Sequence, residues 1–199
     1  MKNMLFIDGE NFVHGIVHVL RMQKLIRLRS QLSRLDVATI TDAIAKFDSG
    51  NVRYYTTRIN FPPQKHPLYK KVESIRQWNS KWVPFLANRG VTFISAGMLK
   101  VRDGRRCDNC GNTTEILLEK GVDVRLGVDI ASIGTGTKLF ILSSDSDLIP
   151  AFQAAELRGI IVVYVALENQ INYALKKAAT NTVIIDSKHI RRAFMKVNQ

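Results

Sequence analysis

The sequence predicts an α/β fold, a mainly parallel sheet with helices on both faces, and two observations carry that prediction. Short apolar runs of strand length, mostly β-branched or aromatic, recur along the chain, and segments of helical pattern lie between them. Strands that alternate with helices are joined by crossovers, which makes them parallel and lets the helices bury both faces of the sheet.

In chain order, MLFI (4–7) is the first strand, and helical patterns follow at 11–34 and 36–48. VRYYTT (52–57) is the second strand. The loop NFPPQKHP (60–67) holds three prolines and leads into a helix at 66–89, then to a third strand, VTFIS (91–95). The stretch 100–118 reads as irregular, a candidate inserted basic flap. A helix at 119–133 precedes LFILS (139–143), and a helix at 150–158 with Pro150 in its first turn precedes IIVVYVA (160–166). A helix at 168–179, the strand TVIID (182–186) and a helix at 187–196 complete the pattern. At 199 residues, with no internal repeat or linker, the chain is expected to be one domain spanning 1–199.

A composition of 46% hydrophobic and 23% charged residues excludes a disordered chain. The 29 Lys and Arg against 17 Asp and Glu give a net charge of +12, which favours polyanionic partners, nucleic acid ahead of an anionic membrane surface. The opening MKNMLFIDGENF lacks the apolar core and cleavage site of a signal peptide, and no run reaches the roughly 18 apolar residues of a membrane span. With two cysteines, a disulfide scaffold is not expected and a reducing cytoplasm is.

Acidic residues collect at the predicted carboxyl ends of strands, where open α/β sheets bind their ligands. Asp8 follows the first apolar run in FIDGEN, with Asn11 one turn on; the plain alternative is an Asp-Gly turn with Asn11 as helix cap. Asp145 and Asp147 follow LFIL in LFILSSDSD, where Ser143, Ser144 and Asp147 could equally cap the next helix. In EKGVDVRLGVDIASI, Asp123 lies in the first helical turn, on or beside the stripe of Leu126, Gly127 and Ile130 that packs toward the sheet; attraction to the helix N-terminus is its alternative. Asp129 sits four residues after Arg125, so a surface ion pair competes with a metal role. Carboxylates about 4 Å apart repel by roughly 4 kcal/mol at an effective dielectric near 20, so such a cluster usually needs a cation or a captured proton. Oxygen ligands of this kind suit Mg²⁺ or Mn²⁺.

FIDGEN, EKGVDVRLGVD and LFILSSDSDLIPAFQAAELRG resemble, in order and spacing, the NYN (LabA-like) branch of the PIN-like nuclease superfamily, over roughly residues 3–186. The run from Ser143 to Gly159 is the most specific piece, then Lys120-Gly121-x-Asp123. The resemblance implies a Rossmann-like, PIN-like domain with an Mg²⁺- or Mn²⁺-binding acidic pocket and ribonuclease activity. Asp8, Asp123 and Asp145 match the core acids, Asp129 and Asp147 further acids, and Asn11 a supporting polar group. The family often has Gly where this chain has Ser144.

Basic residues gather at 21–34, including Lys24, Arg27, Arg29 and Arg34, and again at Lys65, Lys70, Lys71, Arg76 and Lys81, interleaved with Tyr69, Trp78 and Trp82. This mixture suits single-stranded RNA, whose phosphates meet cations while unpaired bases stack on rings. The alternative is a solvated helix face with the rings in the core. Arg102, Arg105, Arg106 and Lys120 extend the basic set. Cys107 and Cys110 have the spacing of half a zinc site, but the chain has no other cysteine and only four histidines, so reduced thiols are expected in place of zinc, unless a homodimer shares the metal. His14 and His18 share a helix face without a nearby third ligand.

The expected function is therefore a metal-dependent endoribonuclease, with a non-catalytic RNA-binding or scaffold module as the alternative. An aspartyl-phosphate enzyme fits less well, since Glu10 stands where a second Asp usually follows the nucleophile. Gly-Thr-Gly at 134–136 precedes a strand and does not support a dinucleotide site.

Overall fold

The structure, a computed structural model, describes residues 1–106 and 108–196, apart from the Arg34 side chain. Seven strands form one sheet in the order β4-β3-β2-β1-β5-β6-β7. In chain order these are β1 (Lys2–Asp8), β2 (Val52–Ile59), β3 (Val91–Arg106), β4 (Thr113–Lys120), β5 (Thr137–Leu142), β6 (Ile161–Leu167) and β7 (Asn181–Ile185). All neighbours are parallel except β3 and β4, which pair antiparallel. The expected α/β architecture is therefore present.

The helices are α1 (Gly9–Met22), α2 (Val37–Asp42), α3 (Tyr69–Ala87), α4 (Val122–Ser132), α5 (Ile149–Leu157), α6 (Tyr173–Ala178) and α7 (Ser187–Met195). They divide the core into two layers. Leu5 and Ile7 of β1 pack with α1, α2, α3 and α7, whereas Met4 and Phe6 pack with α4, α5 and α6. The alternation follows from the two-residue period of a strand, and burial of each large side chain contributes about 1.5–3 kcal/mol. Because β1 is covered on both faces, it is apolar and buried from Met4 to Ile7, up to Asp8.

Chain direction across the sheet places the site. From β1 the chain builds outward to β2 and β3, then crosses back to β5 on the other side of β1. The carboxyl ends of β1 and β5 thus flank the point where strand order reverses, the usual ligand crevice of such sheets.

Three sequence expectations need correction. The helix expected at 11–34 ends at Met22, because Lys24 adopts a left-handed backbone (φ 57°) and the chain turns. There the Leu25 N–H donates to the Leu20 carbonyl and the Lys24 N–H to that of Arg21, both at 2.9 Å, the paired bonds of a Schellman cap. A 3₁₀ turn (Arg29–Arg34) follows, anchored by fully buried Leu32. The helix expected at 36–48 is a short one, α2. The stretch 100–118 is not irregular: most of it forms the two arms of the β3–β4 hairpin, paired from Met98–Lys120 to Arg106–Thr113.

Candidate functional site

Asp8 closes β1 and caps α1, its Oδ1 accepting the Asn11 N–H at 3.2 Å. The turn is possible because residue 9 is Gly: a Cβ there would lie 2.6 Å from the Tyr54 ring and from the Tyr55 carbonyl oxygen. Tyr54 in turn donates its hydroxyl to the Gly9 carbonyl at 3.0 Å and accepts from Trp82 Nε1 at 3.3 Å, pinning the start of α1 to β2. The cap expected of Asn11 thus belongs to Asp8.

Asp8 is only 8% exposed, yet its carboxylate is densely bonded. Oδ2 accepts from Asn11 Nδ2 at 2.5 Å and from Ser143 Oγ at 3.1 Å. Ser143 Oγ also accepts the Asp145 backbone N–H at 3.1 Å, so one hydroxyl joins the ends of β1 and β5. Ser144 Oγ donates to Asn11 Oδ1 at 2.6 Å, and the Ser144 carbonyl accepts from Asn172 Nδ2 at 2.9 Å. Asp145 caps the next turn, accepting the Asp147 N–H at 2.9 Å. Burial, aided by the nearby Asp145 charge, pushes the Asp8 carboxyl above the usual carboxylate range, despite the opposing bonds from Asn11 and Ser143.

These residues open onto a cleft of about 510 Å³. Asp8, Glu10, Asn11 and Asp145 line it together with Glu119, Lys120 and Asp123 from the end of β4 and the start of α4. Gly121 makes this junction, taking φ 88°, a left-handed conformation that lets the hairpin end turn at once into α4. Asp123 lines the cleft but is exposed, so it borders the buried stripe of Val122, Leu126 and Ile130 and is not part of it. Asp147 is exposed in the adjoining groove between α4 and α5, which Asp123 also borders. Asp129 is not in the cleft: its carboxylate accepts from Tyr55 OH and Arg125 Nε, each at 3.0 Å.

Sequence reasoning missed Glu119 and Glu10. The Glu119 carboxyl is pushed up to about 7, first by partial burial and then by the charges of Glu10, Asp8 and Asp123. Burial thus places this carboxyl among three other acids of the cleft, whose charges add to the shift. Among the described residues, however, no three His, Cys, Asp or Glu side chains converge into a preformed metal-binding group.

The basic candidates are distributed unevenly. Lys120 lines the cleft, and Arg29 reaches its edge by donating to Glu10 at 2.8 and 3.2 Å. Lys24 and Arg27 are exposed in the turn after α1, Lys70 and Lys71 are exposed at the start of α3, and Arg102, Arg105 and Arg106 lie along the hairpin. Trp82 is core, 2% exposed, while Trp78 is half-buried. Cys110 is exposed at the hairpin turn; Cys107, the other half of the expected pair, lies outside the described residues. His14 and His18 are exposed.

The family model that matches this chain is the NYN domain, over residues 2–186. The chain belongs to the NYN domain family. That membership brings it into the PIN-like nuclease superfamily, whose nuclease-like fold the sheet and its helices share. A crystal structure of a protein of unknown function from Vibrio parahaemolyticus matches with a TM-score of 0.50 at 18% identity, covering 93% of each chain, a likeness of fold alone. No curated protein matches the sequence. No helix among the described residues is long and apolar enough to cross a membrane.

Proposed function

We propose that this NYN domain is a metal-dependent endoribonuclease that hydrolyses phosphodiester bonds in single-stranded RNA at the cleft around Asp8. The observation that carries the reading is the meeting of Asp8, Asp145, Asp123 and Glu119 in one cleft at the switch between β1 and β5. Its donors are carboxylate oxygens, the kind that hard divalent cations take, and burial, with the neighbouring acidic charges, raises the Asp8 and Glu119 carboxyls there. The residues therefore fit Mg²⁺ or Mn²⁺, with Asp8 and Asp145 as principal holders and Asp123 completing the set from α4. Bound there, the cation would supply Lewis-acid stabilisation of the phosphate and a more acidic attacking water.

The chain's own groups have separable tasks. Asn11 and Ser143 hold the Asp8 carboxylate in one orientation, and Ser143 carries that order to the Asp145 turn. Lys120 offers a cation to the phosphate backbone beside the acids. Asp147, at the edge of the cleft, suits positioning of water or strand, and Asp129 a supporting role through α4. The net charge of +12 draws in the polyanion despite the local acids.

The test is cleavage of mixed single-stranded RNA and DNA with Mg²⁺ or Mn²⁺, with and without EDTA. Cation-dependent RNA cleavage that Asp8→Asn and Asp145→Asn abolish is the expected result. Full activity in either variant would overturn the assignment. Salt-sensitive RNA binding without cleavage would leave a binding module on a nuclease fold.

A further inference from the structure

The aromatic and basic residues of α3 do not act as one surface. Trp82 is core, and Trp78 stacks on it with ring centroids 5.3 Å apart and planes 25° from parallel. Over Trp78, at 4.1 Å from its centroid, lies the Arg29 guanidinium, and the Trp78 Nε1–H donates to the Arg29 carbonyl at 3.2 Å. The same guanidinium is held in plane by its fork to Glu10. Beside this stack is a second cavity of about 300 Å³, bounded by Arg29 and Trp78 and completed by Leu28, Ser74, Gln77 and Lys81. Glu10 belongs to the acidic cleft and Arg29 to this cavity, so one ion pair separates the two.

Two features set this cavity apart from ordinary packing. Leu28 is 64% exposed at its lip, an apolar side chain that the fold does not cover. Arg29 Nε is buried without a hydrogen-bond partner, although the side chain as a whole is about one-third exposed. We propose that this cavity receives one unpaired base of the single-stranded RNA whose phosphodiester occupies the acidic cleft. The inference rests on the reading of that cleft as an RNA site.

The chemistry of the walls selects this occupant. Unpaired bases are recognised by stacking on aromatic rings or on Arg guanidinium planes while their edges take hydrogen bonds. Trp78 and Arg29 supply the layered plane, Leu28 the apolar lip, Ser74 and Gln77 the edge partners, and Lys81 a cation for the adjoining phosphate. A duplex base is disfavoured, because it must first unpair and unstack, at a cost that a single-stranded base is spared. Arg29 thus couples the two sites: the ion pair that fixes it for stacking also places Glu10 in the acidic wall.

The test is binding of a fluorescent single-stranded oligoribonucleotide in EDTA, where no cleavage occurs, alongside a set of oligonucleotides each lacking one base. Ser74→Leu fills the cavity from an exposed helical position, and Lys81→Ala removes only its cation; thermal unfolding checks that both fold. Loss of one particular base should weaken wild-type binding about 5- to 150-fold. Ser74→Leu should weaken the intact strand comparably and be indifferent to that base, and Lys81→Ala should lower the salt dependence by about one charge. Equal binding of the intact strand by Ser74→Leu and wild type, or a base penalty that persists in the variant, overturns the proposal. So does equal binding of DNA of the same sequence, as regards RNA. Cleavage that depends on Asp8 without any single-base effect removes this cavity alone. A single-base effect without cleavage keeps the cavity and removes the nuclease.

Discussion

Ser144 Oγ donates to Asn11 Oδ1 at 2.6 Å, and that bond decides which way the Asn11 amide faces. With Oδ1 engaged, Nδ2 points at Asp8 Oδ2. An amide turned the other way would set its oxygen against a carboxylate. Ser144→Ala should therefore loosen the Asp8 carboxylate without removing any acid. Loss of one such bond costs about 0.5–1.5 kcal/mol of stability. The proposed cleavage rate should fall several-fold, and Ser144→Thr should restore most of it. A Ser144→Ala variant with wild-type melting and wild-type rate would show that Asn11 is oriented by something else.

Asp8 is costly where it stands. Its carboxyl is raised above the unfolded value, so the native state holds the proton more tightly. The stability it contributes is greatest below the unfolded pKa of 3.8 and is lost as pH rises through the higher native value. Asp8→Asn keeps the cap and removes the charge. At pH 8 without divalent cations the variant should melt above wild type. Mn²⁺ should then raise the wild-type Tm, by about 2.7 kcal/mol in stability at a hundredfold excess over Kd, and leave Asp8→Asn nearly unchanged. Calorimetry of both proteins with and without Mn²⁺ measures the crossing.

The ends of β1 and β5 are legible because each is an apolar run with an acid close behind it, Asp8 at once and Asp145 after two serines, and such a run buried on both faces has few other readings. The β3–β4 hairpin is not. Its charged residues, Lys100, Arg102, Asp103, Arg105 and Arg106, fall on both faces of an exposed arm, so they show neither the alternation of a half-buried strand nor the apolar run of a buried one. Glu119 consequently reads as the start of a helix, whereas in the fold it lies near the end of a strand that the hairpin carries back to the cleft. The Arg29–Glu10 pair escaped for a different reason: it joins residues 19 apart across a turn that no Gly or Pro announces.

That turn makes its own prediction. Lys24 occupies the left-handed position of the Schellman cap, where a side chain costs about 1–2 kcal/mol and Gly nothing. Glycine gives back part of the gain by loosening the unfolded chain. Lys24→Gly should thus raise stability by about 0.5–1 kcal/mol in urea unfolding with an unchanged m-value. Lys24→Ala, which keeps the Cβ, should not.

Gly9 predicts the opposite sign. A methyl group there would meet the Tyr54 ring and the Tyr55 carbonyl oxygen at 2.6 Å, and neither can withdraw, since Tyr54 is fixed by Gly9 and Trp82 and Tyr55 belongs to the sheet. Gly9→Ala should cost about 1–3 kcal/mol, typical of overpacking in a filled core. Because the displaced atoms adjoin Asp8, cation binding measured by the Mn²⁺-induced rise in Tm should fall with it.

Glu119 offers the sharpest pH signature. Its carboxyl moves from 4.5 in the unfolded chain to about 7 in the fold, through burial and the charges of Glu10, Asp8 and Asp123. Between those values the native state binds the extra proton, so stability is highest below pH 4.5 as far as this group is concerned and is lost as pH rises through about 7. Glu119→Gln has no proton to lose. Over that window its stability should fall less than that of wild type, with the two curves furthest apart above pH 7. A divalent cation in the cleft replaces the proton as counter-charge, so Mn²⁺ should also flatten the wild-type curve. Parallel pH profiles for wild type and Glu119→Gln, measured by urea unfolding, would show that the hairpin end does not face the acids in solution.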